Sequence, residues 1–148
     1  MSQSGYVILE GIPTAQVYHD LRKLAGLTPP PMDARHMIDD TTPGADQTAV
    51  AMGRLVGDKS LFLICVDIAV HPDHQRKGLG KRIMQSLVDH VDKHAPDAYV
   101  SLVAEPAGQK LYPQYGFKDV EPSIGMYRMI RSRKVEELPV KEGADALE

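Results

Sequence analysis

The feature that most constrains this chain is an apolar run, Leu61 to Val70, which passes through a short loop bearing Gly78 and Gly80 into an amphipathic helix. Leu-Phe-Leu-Ile-Cys-Val-Asp-Ile-Ala-Val has almost no polar alternation, so it reads as a central strand covered on both faces, with Asp67 its one charged residue. His71-Pro72-Asp73-His74 ends the strand, and a helix follows to about His94, with Ile83, Met84, Leu87, Val88 and Val91 on one stripe. Ala95-Pro96 stops that helix, and Tyr99 to Ala104 is a second buried strand. Strand, helix and strand in this order make a crossover unit, normally right-handed, so the fold class is α/β or α+β.

The flanks are consistent with one domain built around that unit. Tyr6-Val7-Ile8-Leu9 is a short β-rich run, and Thr14 caps a predicted helix through about Ala25, with Val17, Leu21, Leu24 and Ala25 facing a sheet. Pro29-Pro30-Pro31 interrupts the chain, and Met32 to about Asp39 reads as a weaker helix before the loop at Thr42-Pro43-Gly44. Ala49 to Val56 is β-prone and Gly57-Asp58-Lys59-Ser60 a turn, so this stretch should form a hairpin with the central strand. Ala107 to about Tyr115 suits one or two helical turns, and a last β-like stretch lies around Met126 to Ile130, where Met126, Met129 and Ile130 are expected in the core. The domain is expected over residues 1–130, with 131–148 a polar carboxyl-terminal tail.

Composition excludes several classes. With 148 residues the chain suits one hydrophobic core, and 43% hydrophobic with 25% charged residues is the balance of a globular protein. A net charge of -3 argues against sequence-independent nucleic-acid binding, which needs a basic face. No apolar run approaches the roughly 18 residues of a membrane span, and Met1-Ser2-Gln3-Ser4-Gly5 has no signal-peptide pattern, so no membrane partner and a cytoplasmic location are expected. Cys65 reads as a small core residue. His71, Asp73 and His74 have no second cluster to complete a tetrahedral metal site, so no metal is expected. Edge strands near the carboxyl end allow a homodimer.

Chemistry concentrates at the strand-to-helix loop. Unpaired N–H groups and the positive end of a helix dipole converge there, the glycines let an anion approach the backbone, and Arg76, Lys77, Lys81 and Arg82 add positive charge. The loop is not a Walker motif, because Gly80-Lys81 is followed by Arg82 rather than Ser or Thr. Nor is it a dinucleotide fingerprint, whose third glycine would stand at Ile83.

What Gln75-Arg76-Lys77-Gly78-Leu79-Gly80 does resemble is the acetyl-CoA motif of the GNAT acetyltransferase superfamily: arginine or glutamine, two residues, glycine, one residue, then glycine or alanine. Leu111-Tyr112-Pro113-Gln114-Tyr115-Gly116-Phe117 is similar to the Leu-Tyr-x-x-x-Gly-Phe signature of the same superfamily. Asp67-Ile68-Ala69-Val70 with the glutamine-type loop also resembles glucosamine-phosphate N-acetyltransferases. The resemblance covers about Gly5 to Ile130 and implies a mixed, mostly antiparallel sheet flanked by helices. It implies an N-acetyltransferase with acetyl-CoA as co-substrate, a small-molecule or peptide primary amine as acceptor, and direct attack in a ternary complex. A non-catalytic acyl-CoA-binding or regulatory module of the same fold is the alternative.

By the same resemblance, the backbone of Ile68, Ala69 and Val70 pairs with the pantetheine arm. The loop of Gln75, Arg76, Lys77, Gly78, Leu79, Gly80 and Lys81 holds the pyrophosphate, and Tyr112 stands near the sulfur as the acid. Pro113 departs from the pattern and disfavours α geometry at Tyr112. The glutamate that many members carry on the strand is absent, its places being Ile64 and Val66. Asp67 is a candidate base if a bulge reverses the strand's alternation, and otherwise a buried carboxylate fixing a neighbouring loop or helix. Deprotonation through water is the default, with Glu105, His71 and His74 as further candidates. The Asp33 to Gln47 segment offers no convincing run for the extra strand such sheets usually carry before Ala49.

Overall fold

Three strands and two α-helices form over the residues that the computed structural model describes, 6–11, 13–27 and 49–128. By internal contacts the chain falls into two compact units, Met1–Lys118 and Asp119–Glu148, and the first carries all of these elements.

Helix α1, Ala15–Leu24, opens where expected, because the Thr14 side chain accepts from the Val17 N–H at 3.2 Å. Its buried face is Tyr18 and Leu21, with Ala25 packed beside them; Leu24, expected on that face, is exposed. Strands β1, Ala51–Gly57, and β2, Phe62–Val70, are antiparallel and form the predicted hairpin. Its turn is held by Asp58, whose Oδ1 accepts from the N–H groups of Ser60, Leu61 and Phe62. Helix α2, Leu79–His94, then crosses back, and β3, Tyr99–Leu102, lies parallel to β2, giving a mixed sheet in the order β1-β2-β3.

The helices cover opposite faces. Tyr18 and Leu21 of α1 pack on Met52 and Ala69, while Met84 of α2, fully buried, packs with Cys65 and Tyr112 and with the half-buried Leu55, Ile68 and Leu87. Burying such side chains against the sheet is the main stabilising contribution, about 1.5–3 kcal/mol each. Cys65 and Ile68 share the α2 face although they are an odd number of residues apart, because the strand contains a bulge. Met52 stands opposite Ala69 but Arg54 opposite Val66, so Asp67 and Ile68 together face Gly53. Asp67 takes the left-handed conformation there, φ 56°.

Several expectations are corrected. Strand β2 is not covered on both faces along its first half, where Phe62 is 64% and Ile64 47% exposed, because α1 packs only at the bulge end. Tyr6 to Leu9 is not a strand; Val7, Ile8 and Leu9 are exposed and Tyr6 bonds to side chains around α2 instead of a neighbouring strand. Strand β3 ends at Leu102, not Ala104. In the second unit the described residues 119–128 hold no strand. Met126, expected at the start of the last β-like stretch and in the core, is 93% exposed. Met129, Ile130, the 131–148 tail, the predicted Met32 to Asp39 helix and the Asp33 to Gln47 segment lie outside the described residues.

Candidate functional site

After β2, a single 3₁₀ turn at Pro72–His74 redirects the chain, and the loop that follows is shaped by two left-handed residues, Arg76 with φ 60° and Gly78 with φ 76°. A Cβ on Gly78 would meet nothing within 4 Å, so glycine is required there by backbone conformation rather than by space. Gly78 is also the N-cap of α2 and contributes no side-chain bond, so the helix end is uncapped. None of the backbone N–H groups of residues 76 to 81 donates to another described residue. Free donors and the positive end of α2 thus meet at one place.

That place is concave. A groove of about 250 Å³ is lined by Val70, Gln75, Arg76, Gly78, Leu79, Gly80, Lys81 and Leu111. Of the ten residues expected to hold the acyl donor, seven line it; the other three are Ile68, Ala69 and Lys77. Gln75 closes one wall, its Nε2 donating to the Val70 carbonyl at 3.2 Å. Gly80 sits on the first turn of α2, where an added Cβ would reach only ordinary contact with Leu111 Cδ2 at 3.5 Å while intruding on the groove.

The groove continues toward an open strand edge. Pairing of β2 with β3 ends at Cys65 opposite Leu102, whereas pairing with β1 runs on to Val70 opposite Ala51. From Val66 to Val70 the β3 side of the strand is therefore unpaired among the described residues, which is the arrangement an extended ligand needs in order to add as a strand. Ile68 and Ala69 lie on this stretch, their side chains packed into the α2-facing and α1-facing cores respectively.

Asp67 sits at the bulge and is 8% exposed. Its carboxylate accepts from the Tyr18 hydroxyl at 2.9 Å, from Arg54 Nε at 2.6 Å and from Arg22 Nη1. Both guanidinium groups also lie near the Tyr18 ring, at 5.8 Å for Arg22 and 5.5 Å for Arg54. The bulge that would make Asp67 a base is present, but three donors, two of them cationic, already hold its oxygens. This geometry supports the other reading the sequence left open, a buried carboxylate that fixes α1 to the bulge. Tyr18, Arg22 and Arg54 carry no motif, and sequence reasoning missed them.

Tyr112 begins a 3₁₀ turn, Tyr112–Tyr115, so the chain stays helical through Pro113 in the tighter form, where the missing proline N–H costs nothing at a helix start. Its ring is buried against Cys65 and Met84, meets Phe117 edge-on at 6.3 Å between centroids, and lies over Gly108, where a Cβ would come within 2.6 Å of Cε2. Burial, reinforced by Cys65 and Glu105, pushes the Tyr112 phenol upward from its ordinary value, so the proton stays on at neutral pH. Tyr115 is tied elsewhere, its hydroxyl donating to the Lys81 carbonyl at 2.9 Å. Burial also pushes the Cys65 thiol up to about 11, in keeping with a core residue rather than a nucleophile. Glu105 is exposed, and the His71 Nδ1 accepts from the Asp73 N–H at 3.1 Å. Among the described residues no three His, Cys, Asp or Glu side chains cluster as metal ligands.

Comparison with known proteins bears on this arrangement. A family model described as an acetyltransferase (GNAT) domain matches residues 39–140. The uncharacterized N-acetyltransferase ycf52 of Pyropia yezoensis is 31% identical over 84 residues, 56% of this chain and 48% of that protein. Its Porphyra purpurea counterpart is 33% identical over 79 residues, 53% and 45% of the two chains. This chain thus spans about half the length of the curated relatives it matches. The crystal structure of SA2161 from methicillin-resistant Staphylococcus aureus, described as a protein of unknown function and "Probable Acetyltransferase", is similar with a TM-score of 0.69 at 32% identity, over 80% of this chain and 95% of that one. The GNAT family protein SP0256 of Streptococcus pneumoniae shares the fold, with a TM-score of 0.61 at 22% identity over 82% and 95%. With a family model matching more than half of its length, the chain belongs to the GNAT acetyltransferase family.

Proposed function

We propose that this chain transfers an acetyl group from acetyl-CoA to a primary amine by direct attack in a ternary complex. The observation that carries the reading is the juxtaposition of free backbone N–H groups over residues 76–81 with the unpaired edge of β2 from Val66 to Val70. The residues present fit the donor: Gly78 gives the loop its turn, Gly80 leaves the groove open, and the strand edge offers amide partners.

When bound, acetyl-CoA supplies a thioester carbonyl as the acyl group. The N–H groups of residues 76–81, with Lys81 and Arg76, take the charge of the diphosphate. The backbone of Ile68, Ala69 and Val70 aligns the flexible arm, and an N–H on this stretch supports negative charge at the carbonyl oxygen. The ammonium form of the acceptor would first lose a proton through water; after attack, Tyr112 would give its Oη proton to the departing sulfur, and the second proton shed by the nitrogen would restore the phenol, leaving an N-acetyl amine and a free thiol. The new bond is nitrogen to carbonyl carbon, and the bond broken is carbon to sulfur. A small-molecule or peptide amine as acceptor and a cytoplasmic setting belong to the same reading. No helix among the described residues is long and apolar enough to cross a membrane.

The test is amine-dependent thiol release from acetyl-CoA by the full chain. Turnover with at least one primary amine is expected, with Tyr112→Phe about 10²-fold or more slower in kcat. Absence of turnover across a broad amine panel would overturn the catalytic reading. A second reading, an acyl-CoA-binding module without transfer, draws on the commitment of Asp67 to its three donors. It predicts a rise in melting temperature with CoA, as mass action requires of any ligand of the folded state, and no thiol release.

A further inference from the structure

Tyr6 belongs to no motif, yet its contacts converge on the loop. Lys77 Nζ lies 3.3 Å from the Tyr6 hydroxyl and 5.9 Å from its ring centroid. An ammonium only donates, so the Tyr6 oxygen accepts from Lys77, and the same hydroxyl pairs with His74 Nδ1 at 2.7 Å. The His74 ring meets the Tyr6 ring edge-on at 5.7 Å between centroids. Arg82 Nη2 donates to the Tyr6 carbonyl at 3.2 Å. One residue of the amino-terminal segment therefore holds basic side chains before the loop, within it and on the first turn of α2.

We infer that Tyr6 is a positioning residue for the anionic end of the acyl donor: by holding the side chains of Lys77, within the run of free N–H groups at residues 76–81, and of Arg82, the residue after it, it fixes positive charge that the diphosphate meets on approaching the groove lined by Arg76 and Lys81. The inference rests on the proposed reading of that loop as the diphosphate seat. Its physical basis is preorganisation. Lysine and arginine side chains carry large rotamer entropy, and cations already fixed near an anion site lose less of it when the anion arrives. The exposed Lys77 would otherwise sample solvent widely.

The experiment compares wild type, Tyr6→Phe and Tyr6→Ala with two donors, acetyl-CoA and S-acetylpantetheine, which lacks the diphosphate. Tyr6→Ala should raise the KM for acetyl-CoA and the Kd for CoA about tenfold, with kcat at saturation within about twofold of wild type. Tyr6→Phe keeps the ring and the carbonyl and loses the hydroxyl bonds, so a rise of about threefold is expected. The KM for S-acetylpantetheine should not move, whereas a merely structural role would raise both. Equal losses on the two donors, or unchanged or tighter CoA binding in both variants, would overturn the inference while leaving the proposed function standing. Wild type that fails to bind CoA would overturn both. Should Tyr6→Ala not fold by circular dichroism, Tyr6→Phe alone decides.

Discussion

Replacing Gly108 by alanine tests whether the seat of Tyr112 governs transfer. A Cβ at Gly108 would stand 2.6 Å from Tyr112 Cε2 and 2.9 Å from both Cζ and the hydroxyl oxygen. Ordinary carbon contact begins near 3.4 Å, so the ring must retreat by about 0.8 Å at the closest atom. The ring cannot easily yield, because it is buried between Cys65 and Met84 and meets Phe117 on its edge. Overpacking of this kind costs about 1–3 kcal/mol, and a shift approaching 1 Å in a reacting group costs up to about 10²-fold in rate. Gly108→Ala should therefore lower kcat by about tenfold to 10²-fold in the thiol-release assay, leaving the KM for acetyl-CoA near wild type. The double variant Gly108→Ala with Tyr112→Phe should be no slower than Tyr112→Phe alone, since both act through one hydroxyl. Wild-type kcat in a folded Gly108→Ala protein, or fully additive losses in the double variant, would refute the argument.

Gly80→Ala should stabilise the fold by about 0.5–1 kcal/mol, since alanine is the better helix former, and should weaken CoA binding, because its Cβ enters the groove; denaturant midpoint and CoA titration read the two effects in opposite directions. Gly78→Ala should destabilise by about 1–2 kcal/mol through its left-handed backbone, and Gly78→Asn by less, in the same denaturant assay. Asp67→Asn should cost about 3 kcal/mol by leaving Arg22 and Arg54 without their carboxylate, and should lower kcat by no more than about tenfold as the clamp on the strand loosens; a small stability loss with a kcat fall beyond about 10²-fold would instead restore the role of base. Cys65, raised from 9.0 to about 11, keeps its proton in the fold longer than in the unfolded chain, so its contribution to stability is complete below about pH 9 and is lost as pH rises toward 11. Tyr112 acts in the same direction at higher pH, and Cys65→Ala should flatten the lower part of that decline in pH-dependent denaturation.

The hairpin, α1, α2 and the parallel strand were legible because each rests on local signals: the Thr14 cap, the Asp58 turn, the Met84 stripe and the apolar run. The uncapped loop at Gly78 was legible for the same reason, since a strand, two spaced glycines and a helix dictate free N–H groups with little help from distant residues. The clamp on Asp67 was not, because its three donors come from α1 and β1 and nothing in their spacing announces a meeting. Tyr6 escaped notice for a further reason. Tyr6-Val7-Ile8-Leu9 has strand propensity, and propensity does not reveal that its hydrogen bonds are spent on Lys77, His74 and Arg82. Pro113 disfavours α geometry at Tyr112, and the chain takes there a 3₁₀ turn, which accepts the proline that an α-helix interior would reject.

The bulge at Asp67 links the fold to the chemistry. Up to Cys65, β2 is paired on both sides and serves the sheet; from Val66 through the bulge to Val70 the strand has only β1 as a partner among the described residues and offers its other edge. The extra residue also exchanges the faces, so Cys65 packs toward α2 while Ala69 packs toward α1. An aspartate in a left-handed conformation is strained, and the strain persists only where surrounding contacts outweigh it. Tyr18, Arg22 and Arg54 supply those contacts, which ties the geometry of the open edge to a helix on the far side of the sheet. Loosening α1 should therefore disturb donor alignment at Val66 to Val70 before it disturbs the loop at Gly78. Tyr18→Phe, which removes one of the three donors and keeps the ring, should lower kcat on acetyl-CoA and on S-acetylpantetheine alike, the opposite of the donor-selective KM effect expected at Tyr6. A Tyr18→Phe enzyme with wild-type kcat on both donors would separate the clamp from the site and leave the bulge as a feature of folding alone.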